Sequence, residues 1–242
     1  MNNFINSLIL TTLSGLSTIL GYFVIYYKGN KNNIIAFSLS LSSSVMIILS
    51  LTDLIPTAYL SINNYNFIYK SLLITFFIII GIIISKYISN FKYDNNLKRL
   101  GIISLITIIL HNIPEGIITF MISGINIRFG IELAIGISLH NIPEGISIAI
   151  PIYYSSYNKI KTLFVVLLAG LSEVLGAFIG YIFLKDIINN YIIGLISSFL
   201  SGIMINISLT ELLPEALKYN KKYVLLGLII GTIIMITSHI YK

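Results

Sequence analysis

The hexapeptide HNIPEG occurs twice, beginning at His111 and again, 29 residues later, at His140. In each copy a histidine and a glutamate are four residues apart, so on a helix the imidazole and the carboxylate share one face. Both copies lie inside long apolar runs, where an ionisable side chain is costly and usually serves a function. His111, Glu115, His140 and Glu144 are therefore predicted to form a polar site within a membrane.

Each hexapeptide also contains a proline, Pro114 in the first copy and Pro143 in the second. Because proline has no amide hydrogen, the carbonyls of Leu110 and Leu139 lose their helical partners, and each helix tends to kink there. In a membrane this is tolerated where neighbouring helices, water or an ion satisfy the freed group. A polar cavity is expected; the alternative is two kinked helices that pack through satisfied polar side chains.

The composition places these helices in a membrane. The 242 residues are 56% hydrophobic and 10% charged with a mean hydropathy of +0.93, whereas soluble domains are about 25% charged. The first apolar run, which begins at Phe4, lacks a basic start and a convincing cleavage site, so it is interpreted as a retained helix. The absence of cysteine excludes disulfides and thiolate metal sites. Frequent isoleucine, asparagine and lysine are interpreted as a compositional bias.

Eight apolar segments are each long enough to cross a bilayer. We therefore predict an all-α polytopic membrane protein that forms a single domain over residues 1–242. The predicted segments are 4–27, 34–60, 68–88, 100–122, 129–152, 162–184, 187–215 and 223–241.

The basic residues predict the orientation of these segments. Eleven of the fifteen lie in the loops after segments 1, 3, 5 and 7, so these loops are expected in the cytoplasm and both termini outside. Because these residues lie in short loops, the net charge of +6 is attributed to orientation, and no nucleic-acid partner is expected. The eleven are Lys28, Lys31, Lys86, Lys92, Lys98, Arg99, Lys159, Lys161, Lys218, Lys221 and Lys222; the other four are Lys70, Arg128, Lys185 and Lys242.

A second repeat surrounds the first. MIILSLTDLIP begins at Met46 and MINISLTELLP at Met204, so that Asp53 corresponds to Glu211 across 158 residues. The predicted orientation makes both repeats inverted, relating segments 1–3 to 6–8 and segment 4 to 5, as in secondary transporters. Asp53 and Glu211 are expected to lie along the transport path on opposite sides of the central site. The alternative is that both stretches are helices ending at a proline.

Histidine, glutamate and asparagine together are suited to zinc, and with more carboxylate character also to iron(II), manganese and cobalt. Glu173, in the middle of the sixth segment, is the obvious fifth donor. The third histidine, His239, is at the end of the last segment and is interpreted as interfacial. Oxygen-rich ligands would allow the ion to exchange, as transport requires.

The two hexapeptides, GLSEVLGA around Glu173 and MINISLTELLPEA from Met204 resemble the ZIP family of divalent metal transporters, in particular its bacterial zinc-uptake branch. The resemblance covers nearly the whole chain. It implies uptake of zinc, or of iron(II), manganese, cobalt or cadmium, across the cell membrane by alternating access. It also implies two adjoining ion positions: one held by His111, Glu115, His140 and Glu144 and bordered by Met46, and one held by Asn112, Asn141 and Glu173 together with Glu115 and Glu144.

Two other functions use similar residues. An intramembrane metalloprotease also places metal ligands in helices, but its HExxH motif is absent from this sequence. A passive metal channel or a sensor would share the site and differ in its flux. The expected partners are divalent metal ions and the lipid bilayer; no cofactor is expected besides the transported ion, and a homodimer stays open.

Overall fold

The residues that the structure describes form eight helices in the predicted order, so the all-α polytopic fold is confirmed. The computed structural model describes residues 2–62, 65–90, 95–184 and 189–240. Lys92, Lys185 and Lys242, which contribute to the charge count, lie outside these ranges, as does the side chain of His239. Within them, seven helices have the length and apolar composition needed to cross a membrane, and the last helix is 20 residues long. The chain is thus a multi-pass membrane protein.

We number the helices α1 to α8 in chain order. Four are continuous α-helices: α3 (Phe67–Ser89), α4 (Asn96–Ile125), α5 (Ile127–Ser156) and α8 (Lys221–Ile240). The other four are composite. α1 contains Asn2–Leu16, Thr18–Tyr22 and the 3-10 turn Phe23–Tyr26, and α2 contains Lys31–Leu49, the π-helical turn Ser50–Leu54 and Ile55–Ser61. α6 contains Lys159–Ile179 and the π-helical turn Gly180–Leu184, and α7 contains Asn190–Ile207, the π-helical turn Ser208–Leu212 and Leu213–Leu217.

An asparagine caps the start of each helix from α2 to α7. At α5, the side-chain oxygen of Asn126 accepts hydrogen bonds from the backbone amides of Arg128 and Phe129, at 3.1 and 3.3 Å. Such caps satisfy amides that have no partner within the helix. These asparagines therefore have a structural role, although their frequency was interpreted from the sequence as a compositional bias. The other caps are Asn30, Asn66, Asn95, Asn158 and Asn189.

The helices pack in two groups of four. In the first, which we call the site group, α4 packs extensively against α5 and α6, and α1 packs against all three. In the second, the flanking group, α2 packs against α8 and α7, and α3 packs against α7. The two groups meet mainly where α2 packs against α5. The two helices that carry the hexapeptides therefore lie side by side, with α1 and α6 on one side and α2 on the other.

α2 and α7 share one backbone irregularity. Their π-helical turns have the sequences SLTDL and SLTEL, and in each the residue after the turn donates its amide to the carbonyl five residues earlier. Pro56 and Pro214 follow at once. Proline cannot donate a helical hydrogen bond and its ring crowds the preceding turn, and the wider π-helical turn accommodates both. Both helices continue beyond their prolines, so neither stretch is a simple helix end. The sequence repeat is therefore also a structural repeat.

Candidate metal centre

The two hexapeptides lie in the middle of α4 and α5 and face each other. Nε2 of His140 is 2.8 Å from a carboxylate oxygen of Glu115, so the first contact joins the two repeats. Nε2 of His111 is 3.5 Å from Glu115 and 3.7 Å from Glu144. The four side chains singled out by their four-residue spacing are thus brought together.

Both helices stay α-helical across their prolines. Pro143 is itself buried, and its carbonyl accepts a hydrogen bond of 2.6 Å from the hydroxyl of Ser42 on α2. This bond holds the flanking group against the second hexapeptide. Met46 is one helical turn beyond Ser42 and is 2% exposed, which places it on the face of α2 that packs toward α5.

The donor atoms converge as a metal ion would require. His111, His140 and Glu144 each offer a ligand atom, and these atoms lie within 4.8 Å of one another. Among the described residues, neither nitrogen of His111 and neither carboxylate oxygen of Glu144 has a hydrogen-bond partner. Burying unpaired polar groups costs several kcal/mol each, and nearby carboxylates repel one another in a low dielectric. A cation bound between them would satisfy both demands.

Asn112 and Asn141, which follow the two histidines, are oriented alike. The amide group of Asn112 donates to the carbonyl of Ala169 on α6 at 3.0 Å, and that of Asn141 donates to the carbonyl of Ser14 on α1 at 3.0 Å. Asn141 also donates to Glu173 at 2.9 Å. With both amide groups held, both side-chain oxygens and the other Glu173 oxygen stay buried without a partner in the described ranges. Because Asn112 and Asn141 directly follow His111 and His140 in the chain, these oxygens lie next to the histidines along α4 and α5.

The glycine that ends each hexapeptide determines how close the neighbouring helix comes. A Cβ at Gly116 would overlap the carbonyl oxygen of Glu173 on α6, and a Cβ at Gly145 would overlap the carbonyl oxygen of Thr18 on α1. Gly176 on α6 reciprocates, since its Cβ would overlap the carbonyl oxygen of Ile113. These glycines were not among the residues predicted from the sequence to build the site. Their repeated position in HNIPEG was the signal that could have identified them.

Asp53 and Glu211 do not belong to the central cluster. Both occupy the π-helical turns, Asp53 in α2 and Glu211 in α7. Glu211 forms an ion pair of 2.7 Å with Arg99, in the first turn of α4. Arg99 is twelve residues before His111, or roughly 18 Å along the helix at 1.5 Å per residue. Glu211 therefore lies near one end of the bundle.

Comparison with known proteins identifies zinc transporters as relatives of this chain. The family described as ZIP Zinc transporter matches residues 92–239, which include both hexapeptides and Glu173. Zinc transporter ZupT of Clostridium perfringens is 35% identical, over 98% of this chain and 96% of its own length. The protein of the same name from Streptococcus mutans is 38% identical over 95% of each chain, and that from Chlorobium luteolum is 35% identical over 98% of each.

Proposed function

Because the chain belongs to the ZIP family of zinc transporters, we propose that it carries Zn²⁺ across the membrane into the cytoplasm through the site between α4 and α5. The observation that carries this proposal is the convergence of His111, His140 and Glu144, buried and within 4.8 Å of one another. The ion is the cargo of a transporter and not the cofactor of an enzyme.

The donor types favour zinc and related divalent ions. Neutral imidazole and carboxylate are common zinc ligands, and the same set also accepts iron(II), manganese, cobalt and cadmium. We propose that His111, Glu115, His140 and Glu144 form the first ion position. Asn112, Asn141 and Glu173 then form an adjoining oxygen-rich position that shares Glu115 and Glu144, with Met46 at the border. Two adjoining positions with exchangeable oxygen ligands would let an ion move without a single deep energy minimum.

The orientation of the transport path follows from the proposed topology. With Lys86, Lys98 and Arg99 facing the cytoplasm, both termini are outside and the protein lies in the cell membrane. Alternating access would come from movement of the site group against the flanking group. Asp53 then faces the outer end of the path and Glu211 the cytoplasmic end. A homodimer is compatible with this arrangement and is not needed for the site, whose donors all come from one chain.

The test is zinc uptake by the purified protein in liposomes. We expect uptake that saturates with zinc, is competed by cobalt and cadmium, and is lost in Glu144→Gln. Arg128→Gln is the matched control, because Arg128 is exposed and its ion pair, with Glu132 at 3.7 Å, lies along its own helix. Non-saturating flux would indicate a channel and contradict a carrier. Binding without flux would indicate a sensor.

A further inference from the structure

Arg99 joins the two helix groups near the start of α4. Its guanidinium donates to both carboxylate oxygens of Glu211, at 2.7 and 3.3 Å, and to the carbonyl of Ser89 at 3.1 Å. Arg99 belongs to the site group, whereas Ser89 ends α3 and Glu211 lies in α7, both in the flanking group. One side chain thus makes three hydrogen bonds across the boundary between the groups, and those to Glu211 have the bidentate form that is strongest for arginine.

Two polar side chains lie along α4 between the ion pair and the metal centre. On α4, Ser104 and Thr107 are spaced seven and four residues before His111, so all three fall on one helix face. Both hydroxyl side chains are 1% exposed, and neither hydroxyl has a hydrogen-bond partner in the part of the chain that the structure describes. A row of buried, unsatisfied hydroxyls therefore leads from His111 toward Arg99. Beyond it, a polar cavity of about 100 Å³ is lined by Arg99, Thr210 and Glu211, among others.

We propose that Arg99 is the gate residue at the cytoplasmic end of the transport path. Its pairing with Glu211 and Ser89 holds the site group against the flanking group and closes the route from the metal centre to the cytoplasm. Release of the ion requires these bonds to break as the groups move apart. The proposal rests on the proposed transport function and topology.

The burial of the pair suits a gate that opens and closes. The Arg99 side chain is 28% exposed and that of Glu211 11%. Water and salt therefore screen the attraction between the two charges only in part, and water can still reach both groups. The broken state can therefore be solvated. A fully buried pair would make opening too costly, and a fully exposed one would add little to closure.

A second contact also joins the two groups, and here the flanking group supplies the cationic side chain. Lys31, at the start of α2 in the flanking group, donates to the hydroxyl of Tyr157 at 2.9 Å, just beyond the end of α5 in the site group. Its ammonium also lies 5.1 Å from the ring centre of Tyr154. The start of α2, the end of α5 and the start of α4 are all cytoplasmic in the proposed topology. Two cationic side chains, one from each group, thus hold this face together.

The test uses the absence of native cysteine. A single cysteine replaces Thr107, and its reaction with a membrane-impermeant maleimide is measured in inside-out and right-side-out vesicles. We expect Arg99→Gln and Glu211→Gln each to raise labelling from the cytoplasmic face about tenfold, which corresponds to ~1.4 kcal/mol of lost closure. The charge-exchanged double variant Arg99→Glu, Glu211→Arg should return the rate most of the way to the parent value. Arg128→Gln, which breaks an exposed pair within one helix, should leave it unchanged.

Three outcomes would overturn the gate. Labelling that ignores both single substitutions would contradict it, as would a double variant no better than either single one. An equal rise from both faces would also contradict it, because it indicates general loosening. Zinc uptake is measured separately in the Thr107→Cys protein. If uptake fails while labelling responds to Arg99, the cargo assignment is wrong and the gate stands; if uptake proceeds while labelling ignores Arg99, the gate is wrong and transport stands.

Discussion

Replacing Gly116 by alanine is the most demanding test of how the metal centre is built. The backbone of Glu173 on α6 passes directly over this glycine, and a new Cβ would overlap its carbonyl oxygen. The same Cβ would lie 2.6 Å from the Glu173 carbonyl carbon, whereas ordinary contact begins at 3.4 Å. The difference, 3.4 minus 2.6, means that α6 must retreat from α4 by at least 0.8 Å.

That retreat moves Glu173, the proposed donor, together with its helix. Metal–ligand distances are defined to within about 0.2 Å, so a shift four times larger takes Glu173 out of bonding range unless its side chain compensates. Misplacing a supporting residue costs about 10- to 100-fold in metal affinity. Overpacking costs ~1–3 kcal/mol, against a gain of ~1 kcal/mol when alanine replaces glycine in a helix, so the variant should still fold.

The assay is zinc uptake by reconstituted Gly116→Ala, compared with Gly124→Ala at equal protein content. Gly124 lies on the same helix, but its Cβ would meet only the Ser7 hydroxyl at 3.6 Å, an ordinary contact. We expect uptake to fall by about 10- to 100-fold in the first variant and to be unchanged in the second. Equal uptake in both would refute the argument that this glycine positions Glu173.

Three further predictions concern the ligands, the topology and the helix starts. Glu144→Gln should insert normally in the membrane and reduce zinc uptake at least ~10-fold, the lower limit for residues that merely support ligands; normal uptake at equal expression would remove Glu144 from the site. A reporter fused after Lys242 should be active only outside the cell, and a cytoplasmic signal would reverse every assigned helix direction. Asn126→Ala should lower stability by ~1 kcal/mol, seen as a fall of ~2–4 °C in melting temperature with unchanged zinc affinity, because only the cap of α5 is lost; an unchanged melting temperature would show that water replaces the cap.

Features set by local sequence could be predicted, and those set by contacts between helices could not. Apolar length predicts each helix, and the HxxxE spacing places His111 with Glu115, and His140 with Glu144, on one face of its own helix. The close approach at Gly116 depends on which helix passes over it, and periodicity on one helix contains no such information. For the same reason Arg99 was interpreted only as a loop charge, since its partner Glu211 is 112 residues away. Kinks were predicted at Pro114 and Pro143, where both helices stay α-helical. The matched π-helical turns before Pro56 and Pro214 appear only in the three-dimensional structure.

The central claim is that one histidine from each hexapeptide binds the transported ion, and X-ray absorption at the zinc edge of the zinc-loaded protein tests it most directly. The chain has three histidines, so His239→Ala is a matched control for His111→Ala and His140→Ala. The structure predicts scattering from two imidazole rings in the parent protein and in His239→Ala, and from one ring in each of the other two variants, with oxygen donors making up the remaining shell. A spectrum that keeps both imidazole contributions in His140→Ala, or that lacks them in the parent protein, would contradict the proposed metal centre.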